Sequence, residues 1–160
     1  MKALLKQSIK EKDGVTKGKL FEAFFRNLVE REEEFCLIKP HARSDVGEMD
    51  YFYRANCTGH PLWGKYPYLF VECKNRKEVV SSENMDHFVS MLGSKSVFEN
   101  CCGIYITTKS FSPQAKNAAK KGLEKGLVLF RIDNSNLTAL IEKGFKLYLE
   151  EEFDMLLSKI

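Results

Sequence analysis

Strand-like and helix-like segments alternate along this sequence, and the alternation restricts its fold more than any other feature. Short runs rich in β-branched and aromatic residues predict strands, whereas apolar residues that recur every three or four positions predict helices. The predicted strands cover residues 46–54, 68–74, 103–108 and 127–132, and the predicted helices cover 17–33, 81–92, 112–122 and 134–141. Strands that alternate with helices predict an α/β sandwich, in which helices flank a central mixed β-sheet.

The length of the chain bounds its organisation. With 160 residues it is long enough for one domain with a buried core. We therefore predict a single domain over 1–160, with a core at about 15–142 and a C-terminal amphipathic helix at about 146–160. That helix either packs on the domain or forms a dimer interface. No apolar run has the length of a membrane span and no secretory signal is evident, so we expect a cytoplasmic protein that does not contact membranes.

The net charge of +3 permits a nucleic-acid partner without requiring one. The five cysteines are an odd number in a chain without a secretory signal, which favours free thiols over a disulfide framework. Thiolate and imidazole groups also bind zinc in tetrahedral sets. A structural zinc site is therefore an alternative use for four of these residues, which are Cys36, His41, Cys57 and His60.

Two short segments contain the residues best suited to catalysis. They are Gly47-Glu48-Met49-Asp50 and Val71-Glu72-Cys73-Lys74. Side chains alternate between the two faces of a strand, so Glu72 and Lys74 point the same way. By the same rule Glu48 and Asp50 share a face. If the two strands are neighbours, Asp50, Glu72 and Lys74 converge on one patch of the sheet.

A divalent cation would explain two carboxylates and an ammonium group on a half-buried strand face, which are otherwise costly to bury. Asp50, Glu72, the main-chain carbonyl near Cys73 and several waters can complete the octahedral shell of Mg²⁺. Such an ion activates water and neutralises phosphate charge. Lys74 would orient that water, or help to deprotonate it, and stabilise the developing negative charge. The competing interpretation is an ordinary Glu-Lys ion pair on a solvent-facing strand.

The chain resembles the Mrr-type branch of the PD-(D/E)xK restriction-endonuclease-like superfamily, over about residues 15–142. The resemblance rests on the order and spacing of short motifs. These are Gly18-Lys19-Leu20-Phe21-Glu22, the two acidic segments above with Asn75 after the second, Gly103-Ile104-Tyr105-Ile106-Thr107-Thr108, and Phe111-Ser112-Pro113-Gln114-Ala115.

The resemblance implies a Mg²⁺-dependent phosphodiesterase that hydrolyses DNA. It implies that Asp50 and Glu72 are metal ligands and that Lys74 is the catalytic lysine. Glu22 matches the glutamate that the family places on its first helix near the metal, although a surface glutamate at the edge of a core face is the alternative. Related domains often have a glutamine-type residue on the helix after the Glu-x-Lys strand. Here that region contains Ser82, Asn84 and His87 instead.

Several residues are candidates for DNA contact. Arg76 and Lys77 follow the catalytic strand directly, and Asn84 lies on the next helix. A second basic group on the helix at 112–122 and its exit either follows the phosphate backbone or forms a solvated face; it comprises Lys116, Lys120, Lys121 and Lys125. The loop at 56–67 contains Trp63 and Tyr66, which either stack on bases or close over the core.

The sequence therefore predicts a DNA endonuclease that depends on Mg²⁺, with Mn²⁺ able to substitute, in restriction or defence. The alternative is a catalytically silent nuclease-like subunit that binds DNA or acts as an adaptor. A small catalytic domain has little surface for reading bases, so we expect either a homodimer or a partner protein that supplies targeting.

Overall fold

A mixed β-sheet lies at the centre of the protein, whose computed structural model describes residues 1–44, 47–94 and 100–159. In these residues five strands form one sheet in the order β1-β2-β3-β4-β5. Three strands are antiparallel neighbours (β1, β2, β3), and the pairs β3–β4 and β4–β5 are parallel. The strands are β1 (Phe35–Ser44), β2 (Gly47–Ala55), β3 (Tyr68–Lys74), β4 (Cys101–Thr107) and β5 (Val128–Ile132).

Seven helices of the described residues surround the sheet. They are α1 (Lys2–Lys10), α2 (Gly14–Val29), α3 (Pro61–Lys65), α4 (Ser82–Ser94), α5 (Pro113–Glu124), α6 (Leu137–Lys143) and α7 (Phe145–Leu157). The predicted α/β sandwich with helices flanking a mixed sheet is confirmed. None of these helices is long and apolar enough to cross a membrane.

The two faces of the sheet bury separate apolar cores. On one face, residues of α2, α3, α6 and α7 pack against alternate strand residues such as Val71, Ile104 and Phe130. On the other face, α4 and α5 pack against Phe70, Tyr105 and Leu129. Because successive side chains of a strand point to opposite faces, each central strand contributes to both cores. Burial of one such large side chain stabilises the fold by about 1.5–3 kcal/mol.

Local capping fixes where the helices begin. Asp13 Oδ2 accepts a hydrogen bond from the Thr16 N–H at 2.7 Å at the start of α2. Ser112 Oγ accepts from the Ala115 N–H at 3.0 Å, with Pro113 in the first helical position of α5, as the sequence predicts. A cap satisfies a main-chain N–H that has no partner within the helix.

The structure corrects several predicted boundaries. The helix predicted at 17–33 is α2, which begins three residues earlier and ends at Val29, where the chain turns into β1. Three elements were not predicted, namely α1, β1 and α3. The strand predicted at 46–54 is β2, and its first residue, Val46, lies outside the described residues. The helix predicted at 146–160 is α7, which ends at Leu157, and Ile160 also lies outside them.

The C-terminal helix α7 packs on the rest of the chain through one face. Phe145, Tyr148, Leu149 and Phe153 are buried in the core that it shares with α2. The other face leaves Leu147, Met155 and Leu157 about half exposed. The packing interpretation is therefore confirmed for one face of this helix, and the dimer interface stays a prediction for the other.

Candidate functional site

The ladder between β2 and β3 stops short, and a carboxylate takes its place. The two strands pair from Arg54↔Tyr68 to Tyr51↔Val71. Beyond that position the Cys73 N–H donates to Asp50 Oδ2 at 2.6 Å. Asp50 therefore lies in the fork between the strands, fixed by a main-chain donor that a continuous ladder would have used.

The alternation of side chains in β2 breaks at the same place. Met49 packs in the core under α4, whereas Tyr51, two residues later, packs in the core on the other face. The prediction that Glu48 and Asp50 share one face assumed regular alternation along β2. It is therefore wrong, because the alternation breaks between Met49 and Tyr51. Glu48 lies at the exposed hairpin with Arg43 and His41, whereas Asp50 turns into the fork.

Glu72 and Lys74 meet on the α4 side of β3, as strand alternation predicts. The Glu72 side chain is 9% exposed and the Lys74 side chain is 27% exposed, and Lys74 Nζ forms an ion pair with Glu72 Oε1. The other oxygen, Oε2 of Glu72, is buried and has no hydrogen-bond partner among the described residues. A buried carboxylate oxygen without a donor is costly, and a bound cation would remove that cost. The interpretation of Glu72 and Lys74 as a solvent-facing ion pair is wrong, because Glu72 is buried.

The electrostatics of the fork follow from burial and from mutual repulsion. Burial, together with the charge of Asp50, raises the pKa of Glu72 to about 7, although Lys74 acts in the opposite sense. Burial also raises the pKa of Asp50, against the hydrogen bond from Cys73. For Lys74, burial favours the neutral amine, but the charge and hydrogen bond of Glu72 and the charge of Asp50 outweigh it and raise the pKa. Lys74 is thus an ammonium group with N–H donors.

Glu22 approaches this fork from helix α2. It is partly buried. Burial raises the pKa of Glu22, and the negative charge of Asp50 raises it further, while His41 and Lys74 lower it. Glu22 is therefore close enough to Asp50 and Lys74 for their charges to act on its carboxyl group. The role of Glu22 beside the metal therefore stays a prediction, and so does its alternative, a surface glutamate at the edge of a core face.

Asn75 connects two helices to the end of strand β3. Its Nδ2 group donates to the carbonyl oxygens of Ser8 at 3.0 Å and Lys17 at 3.2 Å. Its Oδ1 accepts from Thr108 Oγ1 at 2.7 Å. One side chain therefore connects the end of β3 to α1, to the start of α2 and to the residue after β4. Sequence analysis quoted Asn75 as part of a motif but did not predict this function.

The side chain of Cys73 is unsuited to bind a metal ion in the fork. It points into the opposite core, and burial raises its pKa well above the ordinary value for a thiol. Only its main-chain carbonyl remains as the ligand that the sequence predicted. Among the described residues, no group of three or more His, Cys, Asp or Glu side chains has a metal-binding arrangement. The fork therefore offers two carboxylates, and water and main chain would have to supply the other ligands.

Two of the three predicted substrate-binding residues, Arg76 and Asn84, lie on the same side of the sheet as Glu72. Arg76 is close enough to Glu72 to lower its pKa, and Arg76 Nη1 lies 3.5 Å from Asn84 Oδ1, a weak contact. The Asn84 N–H donates to Ser81 Oγ at 3.3 Å at the start of α4. Lys77 is exposed. Arg76 and Asn84 are thus near each other and near the fork.

The zinc alternative is wrong, because its four residues are not brought together. Cys36 lies at the start of β1, near Asn56, and Cys57 is buried. His60 accepts from the Leu62 N–H at 3.2 Å through Nδ1, and its Nε2 lies 3.3 Å from Asp154 on α7. His41 lies five residues further along β1 than Cys36, which is about 16 Å in an extended strand. The five cysteines form no disulfide.

The loop at 56–67 closes over the core and buries the ring of Trp63. Trp63 is 2% exposed, and its Nε1 donates to Glu150 Oε1 of α7 at 2.6 Å. The Tyr66 ring lies against Phe153, with 6.1 Å between ring centroids. Of the two alternatives that the sequence left open for this loop, stacking on bases is therefore excluded for Trp63. It stays a prediction for Tyr66.

A basic cleft lies at the other edge of the sheet. It has a volume of about 330 Å³ and is lined by Lys116 and Lys120 of α5, by Arg131 of β5 and by Lys159, around an apolar floor. The two lysines belong to the basic group that the sequence offered as a possible phosphate contact. Because β5 is two strands away from β3, this cleft is separate from the fork.

Comparison with known proteins identifies the family. The model of the family Mrr_cat, described as a restriction endonuclease, matches residues 16–141. The chain therefore belongs to this restriction endonuclease family. No curated protein matches the chain.

Solved structures resemble the fold at low sequence identity. A repair endonuclease from Pyrococcus abyssi is 16% identical, with 78% of this chain and 50% of that chain covered and a TM-score of 0.50. EndoMS in complex with double-stranded DNA is 16% identical, with 71% and 44% covered and a TM-score of 0.47. The first likeness shows the restriction-endonuclease-like fold. The chain spans about half the length of these two structures.

Proposed function

We propose that this chain is a DNA endonuclease that hydrolyses phosphodiester bonds and depends on a divalent cation, Mg²⁺ or Mn²⁺ in its place. The observation that carries the proposal is the burial of Glu72, with one oxygen paired to Lys74 and the other without a partner, next to Asp50. Membership of the restriction endonuclease family supports DNA as the substrate. A perturbed carboxylate beside a lysine is also typical of a catalytic site.

The residues of the fork fit a hard cation. Asp50 and Glu72 would hold it through carboxylate oxygens, together with the main-chain carbonyl of Cys73, and oxygen donors are the ligands that Mg²⁺ prefers. The unpartnered Oε2 of Glu72 is the atom that most requires such a neighbour. When bound, the cation lowers the pKa of a water molecule and neutralises negative charge on the phosphate.

Main-chain and side-chain groups of the fork would perform three tasks. The Cys73 N–H holds one oxygen of Asp50, which leaves the other free to face the ion. Lys74, held by Glu72 through one N–H, has further N–H groups with which to orient the attacking water and to stabilise the developing negative charge. Glu22 adds negative charge at the border of the cluster and can hydrogen-bond water there.

Three residues near the fork would hold the DNA strand. Arg76 and Lys77 supply positive charge directly after the catalytic strand, and Asn84 supplies an amide at the start of α4. Arginine binds phosphate in a bidentate manner, whereas lysine acts as a compact charge. We expect these contacts to fix the position of the strand and not to read its sequence.

Targeting and biological role are also part of the proposal. The family description supports a role in restriction or defence. Sequence-specific cleavage requires more contact surface than the fork provides, so we infer a homodimer or a targeting partner protein. The half-exposed Leu147, Met155 and Leu157 of α7 are available for such an interface. Light scattering of the purified protein tests the homodimer, and a strictly monomeric mass would leave only the partner.

The test is cleavage of supercoiled plasmid with Mg²⁺ or Mn²⁺. We expect nicking by the wild type, which EDTA and Glu72→Gln each abolish. Glu124→Gln is a matched control, because Glu124 is an exposed glutamate at the end of α5. It should cleave as the wild type does. Folded wild-type protein that binds DNA but never cleaves it would contradict the enzyme and support the alternative, a catalytically silent DNA-binding or adaptor subunit.

A further inference from the structure

His41 has an unusual main-chain conformation at a position next to the fork. Among the described residues it is the one non-glycine residue with a positive φ, at 50°. The pairing of β1 with β2 runs from Pro40↔Tyr51 to Ala42↔Met49, so His41 lies opposite Asp50. The left-handed region is unfavourable for residues with a Cβ atom, and such residues concentrate at functional sites. The position of His41 therefore calls for a functional explanation.

A carboxylate orients the His41 ring. Its Nδ1 lies 3.3 Å from Glu48 Oε1, and the other oxygen of Glu48 accepts from Arg43 Nε at 2.7 Å. The side chain of His41 is 59% exposed, and its Nε2 makes no hydrogen bond within the described part of the chain. A histidine held through one ring nitrogen presents the other in a defined direction. Here the free nitrogen is accessible to a ligand.

The charges around His41 link it to the proposed active site. Burial raises the pKa values of Glu22 and Asp50, and the positive charge of His41 partly counteracts this rise in both. His41 is therefore near both carboxylates although it bonds to neither. In the imidazolium form both ring nitrogens donate, so Nδ1 can serve Glu48 while Nε2 serves a second acceptor.

We propose that His41 is a further substrate-contacting residue, whose Nε2 donates a hydrogen bond to a phosphate oxygen of the bound DNA strand. This inference rests on the proposed nuclease function, because it assumes that the strand passes the fork. Phosphate oxygens are strong acceptors, and contacts to them position a strand without reading its sequence. His41 lies opposite Asp50 in the pairing of β1 with β2, so a strand that passes the fork would also pass His41.

Two substitutions separate a phosphate contact from a structural role. Glycine adopts positive φ without strain, and asparagine tolerates it better than most residues, so His41→Gly and His41→Asn both fit the backbone. We expect His41→Gly to melt at or above the wild-type temperature. We expect both variants to bind a short DNA duplex in EDTA about 10-fold to 100-fold more weakly, as for the loss of one hydrogen bond to a charged group.

The salt dependence of binding gives a readout that a structural defect does not imitate. Each lost phosphate contact lowers the slope of log affinity against log salt concentration by about 0.9. Fluorescence anisotropy of a labelled duplex across a salt series measures both affinity and slope. Arg54→Ser is the control, because Arg54 is an exposed cation four residues after Asp50 in β2, at about 13 Å along the strand. It should retain wild-type affinity.

The outcomes distinguish this inference from the proposed function. If the wild type binds and cleaves DNA while both His41 variants match its affinity and salt slope, the phosphate contact is wrong and the nuclease stands. If both variants melt well below the wild type, His41 is structural and the inference is also overturned. If the wild type neither binds nor cleaves DNA, the proposed function fails, and the role of His41 fails with it.

Discussion

The two halves of the sheet differ in regularity. In the parallel half, β3 and β4 pair without interruption from Tyr68↔Cys101 to Lys74↔Thr107. In the antiparallel half, β1 has a register shift between Leu37 and Lys39, and the β2–β3 ladder ends at Tyr51↔Val71. At each irregularity, fewer main-chain hydrogen bonds join the two strands than in a continuous ladder. The most consequential one lies where Asp50 replaces the ladder, so the site is built where the sheet is least regular.

The difference has an electrostatic counterpart. The parallel half buries apolar side chains such as Ile104 and Ile106, which burial stabilises. The fork buries carboxylates, whose pKa values rise because burial disfavours their charge. A fold can tolerate this cost at one place if other regions are tightly packed. We expect substitutions in the regular half to change stability, and substitutions in the fork to change activity.

The largest expected effect tests the fork. Glu72→Gln keeps the shape of the side chain but removes its charge, and we expect cleavage to fall by at least about 10²–10³-fold, as for the removal of one electrostatic group from a catalytic site. Initial rates of plasmid nicking at saturating Mg²⁺ measure the loss. An unchanged rate in the folded variant would show that Glu72 is not part of the catalytic site. The fork would then not differ from the parallel half in its importance for activity.

The next effect tests the regular half. Ile104 is fully buried in β4, and Ile104→Ala should lower the free energy of unfolding by about 2–5 kcal/mol through lost burial and a cavity. Urea denaturation measures it, with Ile38→Ala as the control, since Ile38 is 49% exposed on β1. The folded fraction should cleave DNA at the wild-type rate. A loss of cleavage without a loss of stability would show that the two halves are not separable.

A smaller effect appears in the pH dependence of stability. The pKa of Glu72 is raised from its ordinary value of 4.5 to about 7 in the folded protein. Its protonated form therefore stabilises the fold at low pH, and this contribution is lost as the pH rises through 7. We expect the metal-free wild type to lose roughly 2–3 kcal/mol between pH 5 and pH 8 relative to Glu72→Gln. Denaturant titrations in EDTA at both pH values measure the difference, and parallel curves would contradict it.

The smallest effect concerns the connection between the helices and the fork. Asn75→Ala removes the hydrogen bonds to Ser8, Lys17 and Thr108, and should cost about 1–3 kcal/mol of stability. We also expect slower cleavage, because α2 carries Glu22. Asn27→Ala is the matched control, since the exposed side chain of Asn27 bonds, within the described residues, only to the Ala23 carbonyl of α2. Equal stabilities of the two variants in thermal unfolding would count against the proposed connection.

Strand periodicity was sufficient to predict the most important pair. The alternation of side chains placed Glu72 and Lys74 on one face from the sequence alone, and the order of strands and helices predicted the mixed sheet. Ser112-Pro113 predicted the start of α5 because its cap is a local interaction. These predictions succeeded because the responsible physics acts over a few residues.

Other features depend on contacts that are distant in sequence. Strand β1 contains the charged residues Lys39 and Arg43 and a proline, Pro40, and these residue types do not predict a strand unless its partner is known. The turn of Asp50 into the fork depends on the N–H of Cys73, 23 residues away. The place of His41 opposite Asp50 depends on the register of β1 with β2. Local patterns do not contain this information.

The packing of Trp63 gives the molecule a built-in optical probe. It is the single tryptophan of the sequence, and it is buried with its indole N–H bonded to Glu150 of α7. Indole emission depends on the polarity of the surroundings, so intrinsic fluorescence of this protein would report whether α7 is seated against the loop at 56–67. Trp63 lies in the core on the opposite face of the sheet from Glu72. If a ligand bound at the fork changes this emission, its effect must therefore be transmitted through the sheet to the loop at 56–67.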